Sequence, residues 1–181
     1  TVGTGSSGES GSSSNGAPAA GYNLFGGINE TSTYLMDNDE NIIKTWSSSY
    51  TPGNSVYLLE DGTLMRTANT GSSVFTSGGQ GGRVEQFDWD GNLIWAFDYD
   101  TASYRSHHDI DVLPNGNILM IAWEMKSEAE ALAAGRDPSL LNEGELWPDT
   151  VIEVAPTGTY GGDIVWEWHS GDHLVQDDDA G

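Results

Sequence analysis

The feature that most constrains the fold is a hairpin pattern that occurs three times in the chain. The segment YLMDNDENIIKTW, residues 34–46, aligns with EQFDWDGNLIWAF, residues 85–97, which lies 51 positions further on. A third and longer copy, VIEVAPTGTYGGDIVWEW, spans residues 151–168. In each copy an apolar strand enters a turn rich in Asp, Asn or Gly, residues that tolerate the positive φ of tight hairpins. The pattern predicts three antiparallel hairpins of the same construction.

A second hairpin pattern lies between these copies and also repeats. The segment SVYLLEDGTLMRT, residues 55–67, aligns with DIDVLPNGNILMI, residues 109–121, which lies 54 positions further on. Two hairpins, or four strands, in a unit of about 50 residues are the signature of a β-propeller blade. The seven Trp and seven Tyr residues agree with this, since blades pack face to face through large flat side chains. The sequence therefore predicts an all-β fold, a partial β-propeller of four-stranded blades.

Composition divides the chain into two parts. Residues 1–21 are almost all Gly, Ser, Thr and Ala, which cannot bury enough apolar surface to offset their ordering entropy, so they are predicted to form a flexible arm or linker. Residues 22–181 are predicted to supply two complete blades and the start of a third. Propellers close with about four to eight blades. We therefore expect further blades, in a longer polypeptide or in partner subunits, to cover the open blade face.

The segment between Trp123 and the third hairpin breaks the β pattern. Ser127 and Glu130 form the S-x-x-E pattern of a capping box, alanine and leucine follow, and Gly135 is a typical helix terminator. One short helical insertion is therefore predicted in the otherwise all-β chain.

The charge of the chain excludes some partners. It carries 28 Asp and Glu residues against 6 Lys and Arg, a formal net charge of −22. Nucleic acid would be repelled over most of such a surface, and the acidity fits a soluble protein in an extracellular or periplasmic setting. There is no cysteine to form disulfides or thiolate metal sites. No apolar run approaches the ~20 residues of a membrane span, so no transmembrane segment is predicted.

Two of the four histidines stand side by side in SHHDIDVL, residues 106–113. Under the second repeat, His108 aligns with Asn54, just ahead of a strand in each copy. Radial repetition of blades would bring Asn54, His108 and one of His169 or His173 around one end of a central channel. This predicts a site built from residues that are far apart in the sequence.

Simpler interpretations of these histidines stay open. A histidine beside Asp at a strand entry most often holds a loop through hydrogen bonds. Because alternate side chains of an extended strand face opposite sides, His107 and His108 are expected to point apart, so that at most one of them is functional. Two or three imidazoles with Asp109 or Asp172 could hold zinc, but the spacing of known zinc motifs is absent.

The Asp-rich hairpin turns have the carboxylate spacing of weak calcium sites. They lack the closing glutamate of a full calcium loop, and ordinary turn formation is the preferred explanation. The residues that such sites would use are Asp37, Asp39, Asp88 and Asp90. No other metal is predicted.

Six motifs give the chain a family resemblance from about Tyr22 onward. They are YLMDNDENIIKTW, SVYLLEDGTLMRT, HHDIDVLPNGNILMIAWE, AAGRDP, LWPDTVIEV and DIVWEWHSGDHLVQD. With these motifs the chain resembles the arylsulfotransferase (aryl-sulfate sulfotransferase) family of bacterial and archaeal exported propellers. The most specific part is the combination of H-H-D before L-P-N-G-N, the A-G-R-D-P insertion, and the W-E-W and D-H-L-x-Q-D ending.

The resemblance implies an activity and a set of site residues. Members of this family move a sulfuryl group from a phenolic ester to another phenol through a sulfated histidine, without a soluble cofactor. His108 matches a channel histidine of the family's active site, and His107 is the less favoured catalytic candidate. His173 matches a recurrent family position and is assigned to substrate binding. Arg105, the one arginine beside the histidine pair, is assigned to the same role because it could offset the negative charge around an anionic substrate.

Parts of the family's pattern are not found in these residues. An H-x-N segment, an S-S-R segment and the histidine that takes the sulfuryl group would lie beyond Gly181, so the nucleophile is expected outside this chain. The competing hypothesis is an extracellular structural or interaction module that derives from a propeller and assembles with other subunits. A quinone-dependent propeller dehydrogenase would suit the Trp-rich blades, but no matching cofactor motif is present.

Overall fold

Antiparallel β-sheets make up most of the structure, a computed structural model that describes residues 19–141 and 144–173. Residues 1–18, most of the predicted arm, lie outside this description. The first sheet has three strands in chain order: β1 (Tyr22–Gly26), β2 (Ser32–Asp37) and β3 (Ile42–Ser47).

Two four-stranded sheets follow. The second sheet has the strands, also in chain order, β4 (Thr51–Leu58), β5 (Leu64–Asn69), β6 (Gly82–Phe87) and β7 (Leu93–Asp98). The third sheet has the order β13-β12-β9-β8 and consists of β8 (Tyr104–Val112), β9 (Ile118–Glu124), β12 (Asp149–Pro156) and β13 (Gly162–His169). The prediction of an all-β fold with four-stranded antiparallel sheets is confirmed, and the sheets are consistent with part of a propeller.

The grouping of hairpins into sheets differs from the expected one. The hairpin β4–β5 pairs with the hairpin β6–β7 that follows it, and not with β2–β3 before it. The sheet with three strands is consequently the first in the chain. The repeats instead predicted two complete four-stranded units, followed by the start of a third. The reason is that a repeat defines each hairpin but does not show which two neighbouring hairpins join edge to edge.

The insertion between β9 and β12 contains the predicted helix. Helix α1 (Glu128–Ala133) begins after Ser127, whose side chain and that of Glu130 form the capping box. Gly135 follows the helix with a φ of +87°, a conformation that glycine adopts without a steric penalty. Two short strands, β10 (Lys126–Ser127) and β11 (Glu145–Leu146), pair beside the helix. In the part of the chain that the structure describes, no helix has the length and apolar character needed to cross a membrane.

Neighbouring sheets pack through apolar side chains and indole hydrogen bonds. Between the second and third sheets the buried cluster consists of Met65, Val84, Trp95, Ile110, Ile118, Met120, Ile152 and Val154. A smaller cluster between the first and second sheets consists of Leu35, Trp46, Leu64 and Phe87. The indole N–H of Trp46 donates to Asp88 O at 2.9 Å, and that of Trp95 donates to Gly161 O at 2.8 Å. At each junction a buried tryptophan therefore also satisfies its polar end, as buried indoles usually do.

Candidate active site

A bulge in strand β8 carries both adjacent histidines. Ser106 pairs with Ala122 and Ile110 pairs with Met120, so the three residues 107–109 lie opposite the single residue Ile121. Bulges bend a strand and re-aim its side chains, and they are common beside active sites.

Strand β4 contains a bulge of the same kind at the aligned position. Pro52 pairs with Ala68 and Val56 pairs with Arg66, which leaves residues 53–55 opposite Thr67 alone. The second repeat aligned Asn54 with His108, and the two residues occupy the middle of equivalent bulges. This equivalence places Asn54 and His108 in comparable positions of neighbouring sheets.

The backbone of His108 adopts a conformation that few residues accept. Its φ is +52°, and in the part of the chain that the structure describes the other non-glycine residue with positive φ is Glu40. Histidine is among the residues enriched in this left-handed region. The His108 N–H donates to Gly79 O at 2.8 Å, and the imidazole packs so closely on Gly79 that a Cβ there would overlap the ring. A strained residue held by its surroundings is a feature of functional sites.

The two histidine rings contact each other. Nδ1 of His107 lies 2.7 Å from Nδ1 of His108, and the ring planes are almost perpendicular, at 85°. The expectation that the two side chains would point apart is wrong, because the positive φ of His108 within the bulge breaks the alternation of an extended strand.

His107 is the buried member of the pair. It is 4% exposed and stacks on Trp123, with the ring centroids 4.1 Å apart. Its Nε2 lies 3.1 Å from Oδ1 of Asp149 at the start of β12. Burial lowers the pKa of His107, and the attraction of Asp149 only partly opposes this effect. The His107 ring is therefore held on three sides, by Trp123, Asp149 and His108.

Asp109, the third residue of the bulge, joins two sheets. Its Oδ1 accepts a hydrogen bond from the Tyr57 hydroxyl in β4 at 2.7 Å and one from Ile110 N–H at 2.8 Å. Partial burial raises the pKa of Asp109, but these hydrogen bonds outweigh it and bring the pKa below its usual value. The same hydrogen bond, with burial, raises the pKa of Tyr57 to about 12.

A cavity of about 260 Å³ lies beside the glycine-rich loop that contacts His108. Gly79 lines this cavity, and so do Asn54, Asn69 and Gln80. Asn69 accepts hydrogen bonds at Oδ1 from Arg105 and from Gly71 N–H, so its NH₂ group is the part that can donate to a ligand. Two asparagines and a glutamine thus line a cavity beside the loop that contacts the His108 ring.

Arg105 supports this region from inside the protein. Its side chain is fully buried, and Nη2 donates to Asn69 Oδ1 at 2.8 Å and to Gly81 O at 3.0 Å. Nη1 lies 3.6 Å from Oδ2 of Asp100. Burial lowers the pKa of Arg105, and Asp100 opposes the effect. The structure therefore places Arg105 behind the glycine-rich loop, where it holds Asn69 and Gly81.

The other two histidines lie on the third sheet and its C-terminal turn. His173 is exposed and stacks on Trp168 with a centroid separation of 5.1 Å. Nδ1 of His169 lies 3.1 Å from Oε2 of Glu124. Among the described residues, no hydrogen bond or ring contact joins His173 to His107 or His108.

Two of the four carboxylates proposed for calcium, those of Asp37 and Asp88, accept hydrogen bonds within their own turns. Oδ1 of Asp37 accepts the N–H groups of Asp39 and Asn41, both at 2.9 Å. In the matching turn, Oδ1 of Asp88 accepts the N–H groups of Gly91 and Asn92, both at 2.8 Å. Hydrogen bonds, led by those from the asparagine side chains, lower the pKa of both carboxyls. Within the described ranges, no three His, Asp or Glu residues are grouped as a metal site would require.

Three residues of the site were not predicted from the sequence. Gly79, Trp123 and Asp149 all contact the histidine pair. The run SGGQGG, residues 77–82, is a visible signal for a close backbone approach. Asp149 lies 42 positions from His107, and nothing in its local sequence indicates the contact.

Comparisons with known proteins give the chain a family. The model of the family described as Arylsulfotransferase (ASST) matches residues 23–180. A solved structure of a protein of unknown function from Bacteroides caccae is 15% identical with a TM-score of 0.47, and the match covers 81% of this chain but only 39% of that protein. No curated protein matches the chain. Because the family model covers most of its length, the chain belongs to the arylsulfotransferase family.

Proposed function

We propose that this chain forms part of the active site of an aryl-sulfate sulfotransferase, with His108 in contact with the substrate. The substrates are a phenolic sulfate ester as donor and a phenol as acceptor. The main support is the conformation of His108, whose positive φ, bulge and close packing on Gly79 hold the ring beside a cavity with amide walls. Family membership supplies the reaction class.

The reaction divides into two displacements. In the first, a histidine nitrogen attacks sulfur, the ester S–O bond breaks and the phenol leaves; in the second, the acceptor phenol takes the sulfuryl group from the histidine. We place the attacking histidine outside these residues, as the resemblance implies. In the second displacement the acceptor phenol loses its proton, and accepting this proton is the role that we assign to the positioned imidazole of His108.

The charge of the protein affects which groups can bind the sulfuryl oxygens. A net charge of −22 repels an anionic ester at long range. Arg66, Arg83 and Arg105 are all buried and occupied within the sheets. The neutral amides of Asn54, Asn69 and Gln80 are therefore the donors that we assign to the substrate.

Transfer assays on the native polypeptide test this proposal. With 4-nitrophenyl sulfate as donor and phenol as acceptor, we expect release of nitrophenol together with formation of phenyl sulfate. His108→Asn introduces the residue found at the equivalent bulge, and we expect it to slow transfer roughly 10²–10⁴-fold, the usual contribution of a positioned acid or base. His173→Asn tests the assignment of His173 to substrate binding, because this histidine is exposed and does not contact the His107–His108 pair. Full activity of His108→Asn would reject the site, and absence of transfer by the native protein would reject the function.

A second candidate function rests on the edge strand β13. Ile164, Val165 and Trp166 on this strand are 43%, 54% and 49% exposed in the described structure. An apolar strip of this kind marks an interaction surface. The alternative proposal is that partner subunits cover it in an extracellular assembly. Sedimentation of the native protein and of its Trp166→Ser variant tests this: we expect a mass above that of the monomer, and a lower mass for the variant. A native protein that sediments as a monomer would reject the alternative.

A further inference from the structure

We infer that Asp149 and His107 are positioning residues that fix the tautomer of His108, with the proton on Nδ1 and the lone pair on Nε2. The three groups form one line of contacts, from Asp149 Oδ1 to His107 Nε2 at 3.1 Å and from His107 Nδ1 to His108 Nδ1 at 2.7 Å. The tautomer follows from these contacts and from the burial of His107. Its use in catalysis rests on the proposed function.

The first step concerns Asp149 and His107. An ionised carboxylate has no proton to donate, so a hydrogen bond between Asp149 Oδ1 and His107 Nε2 requires the proton to be on Nε2. The Asp149 carboxylate is half-exposed, which agrees with an ionised group. His107 is consequently protonated at Nε2.

The second step concerns the remaining nitrogen of His107. The ring is 4% exposed and stacked on Trp123, an environment that disfavours a charged imidazolium. A neutral imidazole carries one proton, and Asp149 has already placed it on Nε2. Nδ1 of His107 is therefore an acceptor.

The third step concerns His108. Two ring nitrogens 2.7 Å apart need one proton between them, and His107 cannot supply it. The proton must belong to Nδ1 of His108, so the lone pair of His108 is on Nε2. The packing of this ring on Gly79 and the perpendicular contact with His107 favour the observed ring orientation.

The fixed tautomer determines what His108 can do in the proposed reaction. A lone pair on Nε2 can accept the hydrogen bond and the proton of a phenol hydroxyl, but it cannot donate to a sulfuryl oxygen. A carboxylate that sets the tautomer of a catalytic histidine is familiar from Ser-His-Asp triads. Here the effect of the carboxylate passes through a second imidazole.

Nitrogen-15 NMR of the native protein with labelled histidine tests the inference directly. Long-range proton–nitrogen correlations distinguish protonated from unprotonated ring nitrogens, and the His108→Asn variant identifies the signals of His108. We expect His107 protonated at Nε2 and His108 protonated at Nδ1 near pH 8. A His108 signal protonated at Nε2 would overturn the inference.

Variants of Asp149 separate a positioning role from a merely structural one. Asp149→Ala removes the acceptor, and we expect His108 to change from one tautomer to a mixture. Asp149→Asn keeps an oxygen that can accept from His107, and we expect it to retain most of the Nδ1–H tautomer. Asp163→Ala, on the exposed strand β13, is the matched control and should change neither ring. An unchanged His108 signal in Asp149→Ala would overturn the positioning role.

The failure of this inference can be distinguished from failure of the proposed function. Sulfuryl transfer by a protein whose His108 is protonated at Nε2 would reject the inference and leave the function standing. The expected tautomers in a protein without transfer activity would support the inference and reject the function. If the inference and the proposed function both hold, we expect Asp149→Ala to slow transfer at least tenfold. Asp149→Asn should retain a larger part of the rate than Asp149→Ala does.

Discussion

The imidazole of His108 packs directly against Gly79, and a Cβ at residue 79 would overlap three atoms of the ring. Gly79 also has a φ of +84°, which L-amino acids with side chains rarely adopt. The glycine-rich loop and the histidine bulge therefore fit together only while residue 79 has no side chain.

Gly79→Ala is expected to displace the His108 ring. The positive φ costs about 1–2 kcal/mol and forced overpacking costs roughly 1–3 kcal/mol more. Gly71→Ala is the matched control, because Gly71 has a similar φ of +74° and a Cβ added there would have no other atom within 4 Å. Chemical denaturation measures both variants. Equal decreases in the free energy of unfolding would show that backbone strain accounts for the whole effect and that the contact with His108 contributes nothing.

The buried His107 should make stability depend on pH. Burial lowers the pKa of His107 in the folded protein below the ordinary value of about 6.5 that it has when unfolded. As the pH falls below about 6.5, the unfolded chain binds a proton that the folded protein does not bind, so the free energy of unfolding decreases until the pH reaches the lowered folded pKa.

The His107→Gln variant isolates this contribution. Glutamine cannot titrate, so we expect a smaller decrease in the free energy of unfolding between pH 7 and pH 5 than in the unmodified protein. His173→Gln is the control for loss of an exposed histidine. Denaturant titrations at several pH values provide the measurement, and parallel curves for His107→Gln and the unmodified protein would contradict the prediction.

The fold could be predicted from the sequence down to its hairpins and its helix cap. The alignment of Asn54 with His108 predicted equivalent positions for these residues, and Ser127 with Glu130 identified the start of α1. The grouping of hairpins into sheets could not be predicted, because the edge pairing of β5 with β6 depends on contacts between two hairpins and not on the pattern within either one.

The site could be predicted only in part. The histidine pair is conspicuous in the sequence, but a strand pattern implies that adjacent side chains alternate, and it does not show that a bulge brings His107 and His108 together. Asp149 completes the site across β9, since it pairs with Trp123 on that strand. Arg105 was expected at the substrate because it is near the histidines in sequence, yet its side chain is fully buried. Such contacts depend on register and on distant strands.

The hydrogen bond between Tyr57 and Asp109 should set the acidity of this carboxyl. In Tyr57→Phe, Asp109 loses the largest of the influences that lower its pKa, so we expect its pKa to rise. Because Tyr57 is 39% exposed and Asp109 is also exposed, we expect the free energy of unfolding to fall by no more than about 1 kcal/mol. NMR titration of the Asp109 carboxyl carbon measures the pKa. Tyr34→Phe is the control, because the Tyr34 hydroxyl donates to Glu30 in the turn before β2. An unchanged Asp109 pKa in Tyr57→Phe would refute the assignment.

The junction between the second and third sheets should depend on Trp95. Its buried indole N–H donates to Gly161 O at 2.8 Å, so Trp95→Phe removes this hydrogen bond and leaves a gap in the core. The lost hydrogen bond contributes about 0.5–1.5 kcal/mol and the gap in the core adds to it, so we expect the free energy of unfolding to fall by at least about 1 kcal/mol. Trp166 aligns with Trp95 but is 49% exposed, so Trp166→Phe should change stability by less than about 0.5 kcal/mol. Chemical denaturation of the two variants compares them directly. A mild effect of Trp95→Phe would contradict the prediction that this junction depends on Trp95. An equally large decrease in the free energy of unfolding for Trp166→Phe would show that a further sheet covers β13 in the native protein.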